Sequence, residues 1–384
     1  MIRRHVKRWI VFSLVLVILT ITGCSPTANK RKFDSLAIVL GVGIDYDSSK
    51  DNVLLTTQIV KTEEFEGGKR FFNITQAGKS MLEAVSNADN EANRVLYVAH
   101  NQIVVIGRQA AEKGIFDYMD YFFRDDEARY DVGMVMTEMK AGEILDKATN
   151  LGSIPSQEIT VLLENQVTMS ACPRLELLEF AMEANSTFKA SVMPIIGISQ
   201  KDSETEKVQF EVTGSGVFND GKLIYTMNRD ETRGYLWGIG EINKGEIMLS
   251  DVNVDILESS TNFEARIEGN SEKKLILTFD IDVEGNLGEV AKPKEQNTEE
   301  LREISKACEE LITDQLSHVL IQSFENGCDI FGASDYLFRH KYKKWKRVEN
   351  NWQMLYKNAA FEIKVKADII RTGSLIEPIF GSEK

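Results

Sequence analysis

Residues 208–227 read VQFEVTGSGVFNDGKLIYTM and contain a strong signal for a β-hairpin. Two runs rich in apolar and β-branched residues flank Asn219-Asp220-Gly221. Such a turn between two such runs is typical of a tight hairpin, because these residues tolerate positive φ angles. A short helix is predicted directly after the second run, at residues 230–237. A hairpin followed at once by a helix indicates a fold that mixes the two kinds of element.

The spacing of apolar residues elsewhere predicts further strands and helices in irregular order. Strands are predicted at residues 36–44, 53–60, 71–75, 103–106, 131–136, 191–198 and 361–370, with two or three more between 245 and 283. Helices are predicted at residues 79–93, 109–123, 141–148, 156–166, 175–184, 297–324 and 329–338, with Ser156 as the N-cap of its helix. Because these elements do not form regular βαβ units, we expect an α+β fold with antiparallel-rich sheets.

The length of 384 residues predicts two or three domains. Residues 200–207 are charged, poor in apolar side chains and without periodicity, so we place a domain boundary there. The predicted parts are an N-terminal α+β region at 34–199, with room for two subdomains, and a C-terminal α+β domain at 208–375.

The start of the chain has the features of a lipoprotein signal. Four basic residues lie within the first eight positions, an apolar run follows at 9–21, and the run closes on Ile21-Thr22-Gly23-Cys24. A basic segment, an apolar segment and small residues before a cut are the parts of a secretory signal. A branched aliphatic residue, a small polar residue and glycine before a cysteine form a lipobox-like sequence, at which the thiol of Cys24 would receive a diacylglycerol.

The alternative interpretation is a plain transmembrane anchor with an incidental cysteine. The run at 9–21 falls short of the roughly 20 residues that a spanning helix needs. We therefore expect residues 1–23 to be a cleaved signal peptide and residues 24–33 a lipidated tether. The rest of the chain would then be an extracytoplasmic protein, attached to the lipid bilayer through Cys24.

The charge of the chain limits its partners. The formal net charge is −14, and loss of residues 1–23, which contain four basic and no acidic residues, would lower it to −18. An acidic surface repels phosphate backbones, so no nucleic-acid partner is expected.

Three cysteines remain besides Cys24, namely Cys172, Cys308 and Cys328. The predicted helix at 297–324 would place the last two on the order of 30 Å apart, far beyond the reach of a disulfide. No CxxC pair offers a metal site either. We expect these cysteines to be free and buried.

Motifs for catalysis or cofactor binding are incomplete. The stretch from Asp45 begins like a calcium loop, but Lys50 stands where glycine is needed and Thr56 where glutamate is needed, which favours a solvated hairpin turn. The glycines at 41 and 43 lack the third glycine of a dinucleotide loop. The histidines after Cys24 are not spaced as metal ligands. We therefore expect no catalytic residues, no cofactor and no metal, and hence no enzyme.

Two segments are candidates for a partner interface. Residues 340–347 are strongly basic and suit anionic lipid head groups or an acidic partner, or form a solvated loop with Tyr342 and Trp345 packed inward. Residues 230–237 combine an aromatic face with an arginine, which suits an interface or a packed helix with an internal ion pair. The candidate interface residues are Glu231, Arg233, Trp237, Lys343 and Trp345.

Several stretches together resemble the Ger(x)C family, the C-subunit lipoproteins of bacterial spore germinant receptors, from about residue 34 to 371. The resemblance rests on the order and spacing of Gly41-Val42-Gly43-Ile44-Asp45, Arg94-x-Leu96-Tyr97-x-x-His100-Asn101, Arg124-Asp125-x-Glu127-x-Arg129, Ile154-Pro155, and the block at 214–240 with Glu231-Thr232-Arg233-Gly234 and Leu236-Trp237. The block at 214–240 is the most specific part. This chain departs from the family at residues 28–33, where family members usually have Trp-Asp-x-Arg-Glu-Leu. The tryptophan of that motif is absent here, so a membrane contact made by it is not expected for this chain.

The resemblance implies a function that the residues alone do not give. It implies a non-enzymatic subunit of a receptor with a multi-spanning A subunit and a transporter-like B subunit, located in the spore inner membrane and needed for nutrient-triggered germination. It also implies three α+β domains and no catalytic residues. The alternative hypothesis is an extracytoplasmic solute-binding lipoprotein of a transporter, which would need a deep cleft.

Overall fold

The structure is a computed structural model that describes residues 9, 36–61, 69–92, 94–149, 154–184, 188–201, 207–250, 252–269, 273–290 and 298–370. Contacts divide the chain into two compact units, Met1–Leu36 and Ala37–Lys384, and the second contains every element below except the first residue of the first strand. Apart from Trp9, the predicted signal peptide and tether, including Cys24, lie outside the described residues.

The first sheet has nine strands within the described ranges. Their order is β3-β2-β1-β5-β6-β7-β8-β9, and β4 pairs with β1 at the side of this path. The strands are β1 (Leu36–Asp47), β2 (Asn52–Val60), β3 (Phe71–Gly78), β4 (Val95–Tyr97), β5 (Ile103–Gly107), β6 (Gly133–Thr137), β7 (Ser191–Lys201), β8 (Val208–Asn219) and β9 (Lys222–Met227). Parallel pairs from β1 to β7 form the middle, and antiparallel pairs form both flanks.

Helices cover both faces of the first sheet. Along β5, Val104 and Ile106 belong to one core cluster while Ile103 and Val105 belong to another, as expected when successive side chains point to opposite faces. The first cluster includes α1 (Met81–Ala92), α2 (Arg108–Lys113), α3 (Phe116–Arg124) and α6 (Leu177–Ala184), and the second includes α4 (Ala141–Leu145) and α5 (Pro155–Thr168). The continuous apolar run in β1 is therefore explained, because this strand is buried on both sides.

The second sheet has four strands in the order β10-β11-β12-β13. They are β10 (Glu246–Met248), β11 (Val252–Glu268), β12 (Lys274–Val290) and β13 (Ala360–Ile370), and the last pair is parallel. Its core includes residues of α7 (Arg229–Ile239), α8 (Thr298–Asn326), α9 (Ala333–His340), α10 (Tyr342–Trp345) and α11 (Trp352–Lys357). Two mixed sheets with helices in irregular order confirm the predicted α+β class.

The predicted hairpin is confirmed. β8 and β9 pair antiparallel from Ser215↔Met227 to Asn219↔Lys222. Asp220 and Gly221 both have positive φ angles, 52° and 69°, as a turn that matches the twist of its strands requires. The three strands between β9 and α8, the long helix α8 and the final strand β13 also confirm their predictions within a few residues, except that β12 continues to Val290.

Two details of the predicted helices are wrong. The helix predicted at 109–123 is two helices, α2 and α3, because Gly114 between them has a φ angle of 117°. Ser156 is not an N-cap, since Ile154 holds that position and Pro155 is the first helical residue. Ser156 lies inside the helix and faces Gly41, where a Cβ atom would come within 2.5 Å of the Ser156 Cβ. Gly41 thus lets α5 lie close against the sheet.

The predicted boundary at 200–207 lies at the connection between β7 and β8. These strands are neighbours in the first sheet and pair antiparallel from Ser191↔Phe218 to Lys201↔Val208. Strands of one sheet therefore flank the boundary, and the division of the chain into domains stays a prediction.

Two buried aspartates organise helix starts, one beside each sheet. Asp45, only 6% exposed at the end of β1, accepts hydrogen bonds from the backbone N–H groups of Ala141 (2.8 Å) and Gly142 (2.9 Å). Asp329, fully buried, accepts them from Ala333 and Ser334 (both 2.8 Å). The solvated hairpin turn predicted for this stretch is confirmed at residues 48–51, which are exposed between the antiparallel strands β1 and β2. The prediction is wrong for Asp45 itself, because this residue lies in β1 and its carboxylate binds the start of α4.

Candidate partner-binding site

The candidate site at residues 230–237 belongs to helix α7. The Oδ1 atom of Asn228 accepts a hydrogen bond from the Glu231 N–H (2.9 Å), and Glu231 Oε2 accepts one from the Asn228 N–H (2.7 Å). This reciprocal pair is a capping box, which satisfies two donors at the helix start. Gln322 of α8 donates to Glu231 Oε1 (2.6 Å). Glu231 therefore fixes the start of α7 and joins it to α8.

Two glycines allow α7 to approach α8 closely. Gly234 and Gly238 lie one helical turn apart and are both buried. A Cβ atom at Gly234 would overlap the carbonyl oxygen of Gln315, and one at Gly238 would overlap the ring of Phe331. Glycine at 234 thus brings α7 against the backbone of α8, and glycine at 238 makes room for the Phe331 ring, which explains part of the 214–240 block in structural terms.

Trp237 is in the core and not on a surface. Its side chain is only 1% exposed. The indole Nε1–H donates to Gln315 Oε1 (3.2 Å), so the polar atom of this buried ring has a partner on α8. Thr261 of β11 donates to the Trp237 carbonyl (2.7 Å). Trp237 therefore holds α7 between α8 and the second sheet.

Arg233 packs beside Trp237 and is half-buried. Its guanidinium carbon lies 5.9 Å from the Trp237 ring centroid, and its Nη2 donates to the Glu246 carbonyl of β10 (2.8 Å). Burial lowers the pKa of Arg233, against a smaller raising effect of Asp230. Among the described residues none forms an ion pair with this guanidinium, so an internal ion pair on α7 is not observed for Arg233.

A groove of ≈ 760 Å³ opens beside this arginine. Its walls come from α5, β7, β8, α7, β10 and α8, and Arg233 and Trp237 both contribute to them. Arg229, at the same groove, is neutralised by an ion pair with Glu211 and donates to the Val212 carbonyl (2.9 Å). Arg233 is therefore the groove-lining arginine that has unused N–H donors and no carboxylate partner in the described part of the chain.

In the second candidate segment, residues 340–347, the two predicted interface residues differ in exposure. Lys343 of α10 is exposed. Trp345 is only 4% exposed and packs edge-to-face against Phe188 and Trp352, with ring centroids 5.4 Å and 5.0 Å away. Tyr342, by contrast, is 52% exposed. Of the two aromatic residues weighed for inward packing, Trp345 packs inward and Tyr342 does not.

The described cysteines confirm the expectation of free, buried thiols. Cys172, Cys308 and Cys328 form no disulfide. Burial raises the pKa of Cys308 and Cys328 to about 11 and that of Cys172 to about 12. These thiols are poor nucleophiles, because only the thiolate reacts readily.

The part of the chain that the structure describes contains neither a cluster of metal ligands nor a membrane-spanning helix. Within these ranges no group of three or more histidine, cysteine or acidic side chains is placed to hold a metal ion. None of the described helices combines the length and apolar character needed to cross a membrane.

The sequence matches two family descriptions that together extend over most of the chain. Residues 29–198 match the description "Spore germination protein N-terminal domain", and residues 213–373 match "Spore germination B3/ GerAC like, C-terminal". The chain belongs to the Ger(x)C family. The boundary between the two matched regions lies near the β7–β8 connection, and the block at 214–240 opens the second region.

Relatives of this chain match it over nearly its whole length. Spore germination protein KC of Bacillus subtilis (strain 168) is 24% identical over 399 residues, which cover 95% of this chain and 96% of the relative. Spore germination protein YndF of the same organism is 23% identical and covers 97% and 98% of the two chains. The crystal structure of the GerBC protein matches 86% of this chain and 97% of its own, with a TM-score of 0.57 and 18% identity, and it supports the fold.

The sequence motifs identified the family but did not reveal several residues that hold the elements together. Gln315, the partner of Trp237, gave no local signal, since the two lie 78 positions apart. Asp45 likewise acts on residues distant in sequence. The capping box of α7 could have been found, because Asn228 and Glu231 have the spacing of that motif.

Proposed function

We propose that this Ger(x)C chain is the lipid-anchored, non-enzymatic C subunit of a spore germinant receptor. In this proposal it works beside the A and B membrane subunits of the receptor in the spore inner membrane and is needed for nutrient-triggered germination. The observation that carries the proposal is the match to spore germination proteins along almost the whole length of both chains.

The side chains of the described residues favour a binding role over a catalytic one. The three described cysteines are buried thiols with raised pKa values, and the acidic residues that are most buried, Asp45 and Asp329, are used to bind helix starts. The family block at 214–240 builds a close pair of helices and a groove instead of a set of reactive groups. Such a body suits a subunit that contacts other proteins.

The proposed anchor is Cys24. The sequence Ile21-Thr22-Gly23-Cys24, after a basic start and an apolar run, has the form of a lipobox. A diacylglycerol on this thiol adds buried methylene groups, each of which stabilises membrane attachment by about 0.8 kcal/mol. The acidic body would then be held at the extracytoplasmic face of the membrane.

Replacing the cysteine tests this anchor. We expect Cys24→Ala to move the protein from the membrane fraction of spores to the soluble fraction and to impair germination in response to nutrients. Cys172→Ala is the matched control, because it removes a thiol that is buried in the folded body, and it should leave fractionation unchanged. A Cys24→Ala protein that stays membrane-bound after a wash with ~1 M salt, which screens charge contacts with the lipid surface, would contradict the anchor.

A second candidate function is a solute-binding lipoprotein of a transporter. The groove beside Arg233 favours it, because a half-buried guanidinium without a carboxylate partner can bind a carboxylate of a solute. Calorimetry of residues 25–384 with pooled amino acids and sugars would show saturable binding that Arg233→Met abolishes. Absence of heat at millimolar solute would exclude this function and leave the receptor-subunit proposal intact.

A further inference from the structure

The most basic stretch of this acidic protein lies on a short helical segment. Residues 339–347, called the basic segment below, contain six lysine and arginine residues and one histidine, and no acidic residue, in a chain with a net charge of −14. The segment forms the end of α9, all of α10 and the turn that follows. Its charge is thus opposite to that of the rest of the molecule.

Nearly all of this charge faces solvent. Every lysine, arginine and histidine of the basic segment is exposed. Lys346 pairs with Glu349 (2.7 Å), and the other basic side chains form no ion pair with a described residue. Lys273 adds a further cation, because its Nζ donates to the Arg347 carbonyl (2.7 Å). Lys344 Nζ donates to the Ile267 carbonyl of β11 (3.3 Å), and the next residue, Glu268, is already paired with Arg266 (2.9 Å).

Two aromatic rings are exposed among these cations. Phe338 is 53% exposed and Tyr342 is 52% exposed. Their ring centroids lie 5.6 Å apart in an edge-to-face arrangement. Large rings with one apolar face and a polar or charged surrounding are typical of side chains at a membrane–water interface.

The core beneath holds this surface in place. Leu337, Trp345 and Val348 are buried in the core of the second sheet, at 0%, 4% and 4% exposure. Trp345 lies within the basic segment and Leu337 and Val348 flank it, so the buried residues fix the short helices while the exposed residues present the cations and the two rings. The surface is therefore part of the folded body and not a solvated loop.

We propose that the basic segment, together with Phe338 and Tyr342, docks against the anionic phospholipid surface of a membrane. The cations would lie at the level of the lipid phosphates, and the two rings would enter the apolar boundary below them. Each lysine or arginine near such a surface strengthens binding by about fivefold. This contact adds a second attachment to the anchor proposed at Cys24, but it does not depend on that anchor.

The rings favour a membrane over an acidic protein as the occupant. An acidic protein surface would satisfy the cations but would offer no apolar layer for Phe338 and Tyr342. The cations are also spread over nine consecutive residues, 339–347, and are exposed, which suits the mobile, dispersed phosphates of a lipid surface.

Vesicle sedimentation tests the proposal without the anchor. Residues 25–384 contain the whole compact unit Ala37–Lys384 with both sheets and their cores, so this polypeptide is expected to fold without the signal segment. It would be mixed with vesicles of phosphatidylcholine alone or of phosphatidylcholine with phosphatidylglycerol. We expect binding to the anionic vesicles alone, and its loss at ~1 M salt, where charges act over only about 3 Å.

Matched charge reversals identify the surface. The triple change Lys341→Glu, Lys343→Glu and Arg347→Glu should weaken vesicle binding roughly 100-fold or more. The control triple change, Lys244→Glu, Lys306→Glu and Lys364→Glu, alters the net charge by the same amount at exposed sites elsewhere and should leave vesicle binding within about threefold. The circular dichroism spectra of both triple variants should match that of the native protein. Phe338→Ala with Tyr342→Ala should weaken binding about 10-fold at unchanged charge.

Three outcomes would overturn the proposal. Equal binding to neutral and anionic vesicles would exclude charge recognition. Equal losses in the two triple variants would show a non-specific charge effect. Binding of the basic segment to a membrane subunit in detergent, with no binding to anionic vesicles, would show that an acidic protein is the partner. The receptor-subunit function would stand in each case, because its test is whether the A and B receptor subunits co-purify with the full-length chain.

Discussion

Asp45 and Asp329, one beside each sheet, both bind the start of a helix, but Asp45 does so across a long sequence separation and Asp329 within a local turn. Each is a buried carboxylate that accepts the first two backbone N–H groups of a helix, where the helix itself supplies no capping side chain. Asp45 reaches residues 96 and 97 positions away, whereas Asp329 reaches residues four and five positions away. One carboxylate therefore determines how β1 and α4 meet, and the other only shapes a local turn.

The environments of the two carboxylates differ as well. Burial raises the pKa of both, while the backbone N–H groups that each one binds act in the opposite direction. For the fully buried Asp329 the pKa reaches about 6. Asp45 also feels the positive charge of Lys140, which lowers its pKa. The local turn thus carries the more strongly desolvated charge.

Removing each carboxylate should have the largest effect on stability. We expect Asp45→Ala and Asp329→Ala each to lower the free energy of unfolding by about 3 kcal/mol, because two buried N–H groups lose their acceptor. Urea unfolding measures the loss. Asp→Asn at either position keeps one oxygen acceptor and should cost less.

Hydrogen exchange distinguishes the two positions in the same variants. Asp45→Ala should expose amides of both β1 and α4, which lie far apart in sequence, whereas Asp329→Ala should expose mainly the first turn of α9. A purely local exchange pattern in Asp45→Ala would break the comparison.

The pH dependence of unfolding sharpens the comparison next. A carboxylate whose pKa is raised in the folded state binds its proton more tightly there than in the unfolded chain. The stability contributed by protonated Asp329 is therefore fully present below about pH 4 and is lost as the pH rises through about 6.

The Asn variant isolates this contribution. The free energy of unfolding of the native protein, relative to Asp329→Asn, should fall by roughly 3 kcal/mol between about pH 4 and pH 7. Asp45→Asn should show a change of the same sign but smaller, since Lys140 opposes the shift. A difference that rises with pH would show that the helix N–H groups outweigh burial.

The smallest effect is expected at a helix that caps itself. Asn228→Ala removes the side-chain half of the capping box of α7 and should cost about 1 kcal/mol. Asn228→Ser preserves an acceptor and should be near neutral. A loss as large as that of Asp329→Ala would show that the start of α7 supports more than its own helix.

Features that depend on neighbouring residues could be predicted from the sequence, whereas a helix start bound by a distant residue could not. The turn at Asp220-Gly221 and the pair Asn228 and Glu231 are local patterns, and the structure confirms the hairpin and the helix that they indicate. Asp45 gave no local sign of its partners, so its stretch resembled a solvated turn. Its role follows only from the parallel pairing that brings α4 beside β1.

Contacts between residues distant in sequence also decide which of the candidate interface residues are buried. Trp237 and Trp345 lie next to charged residues in sequence, which suggested a surface. Their burial depends on Gln315, Phe188 and Trp352, which come from other elements. Lys343 and Arg233 remain accessible, on the basic segment and in the groove. Family motifs located the correct regions, but only the tertiary contacts separate core from surface within them.

The proposed role of this chain is that of a subunit in a membrane receptor complex. The most direct measurement is affinity purification of the full-length chain from detergent-solubilised spore membranes, with mass spectrometry of the proteins that accompany it. We expect the A and B receptor subunits to co-purify with the chain in constant proportion, and both to be lost with Cys24→Ala. Purification of the chain without either subunit, from spores that still germinate in response to nutrients, would contradict it.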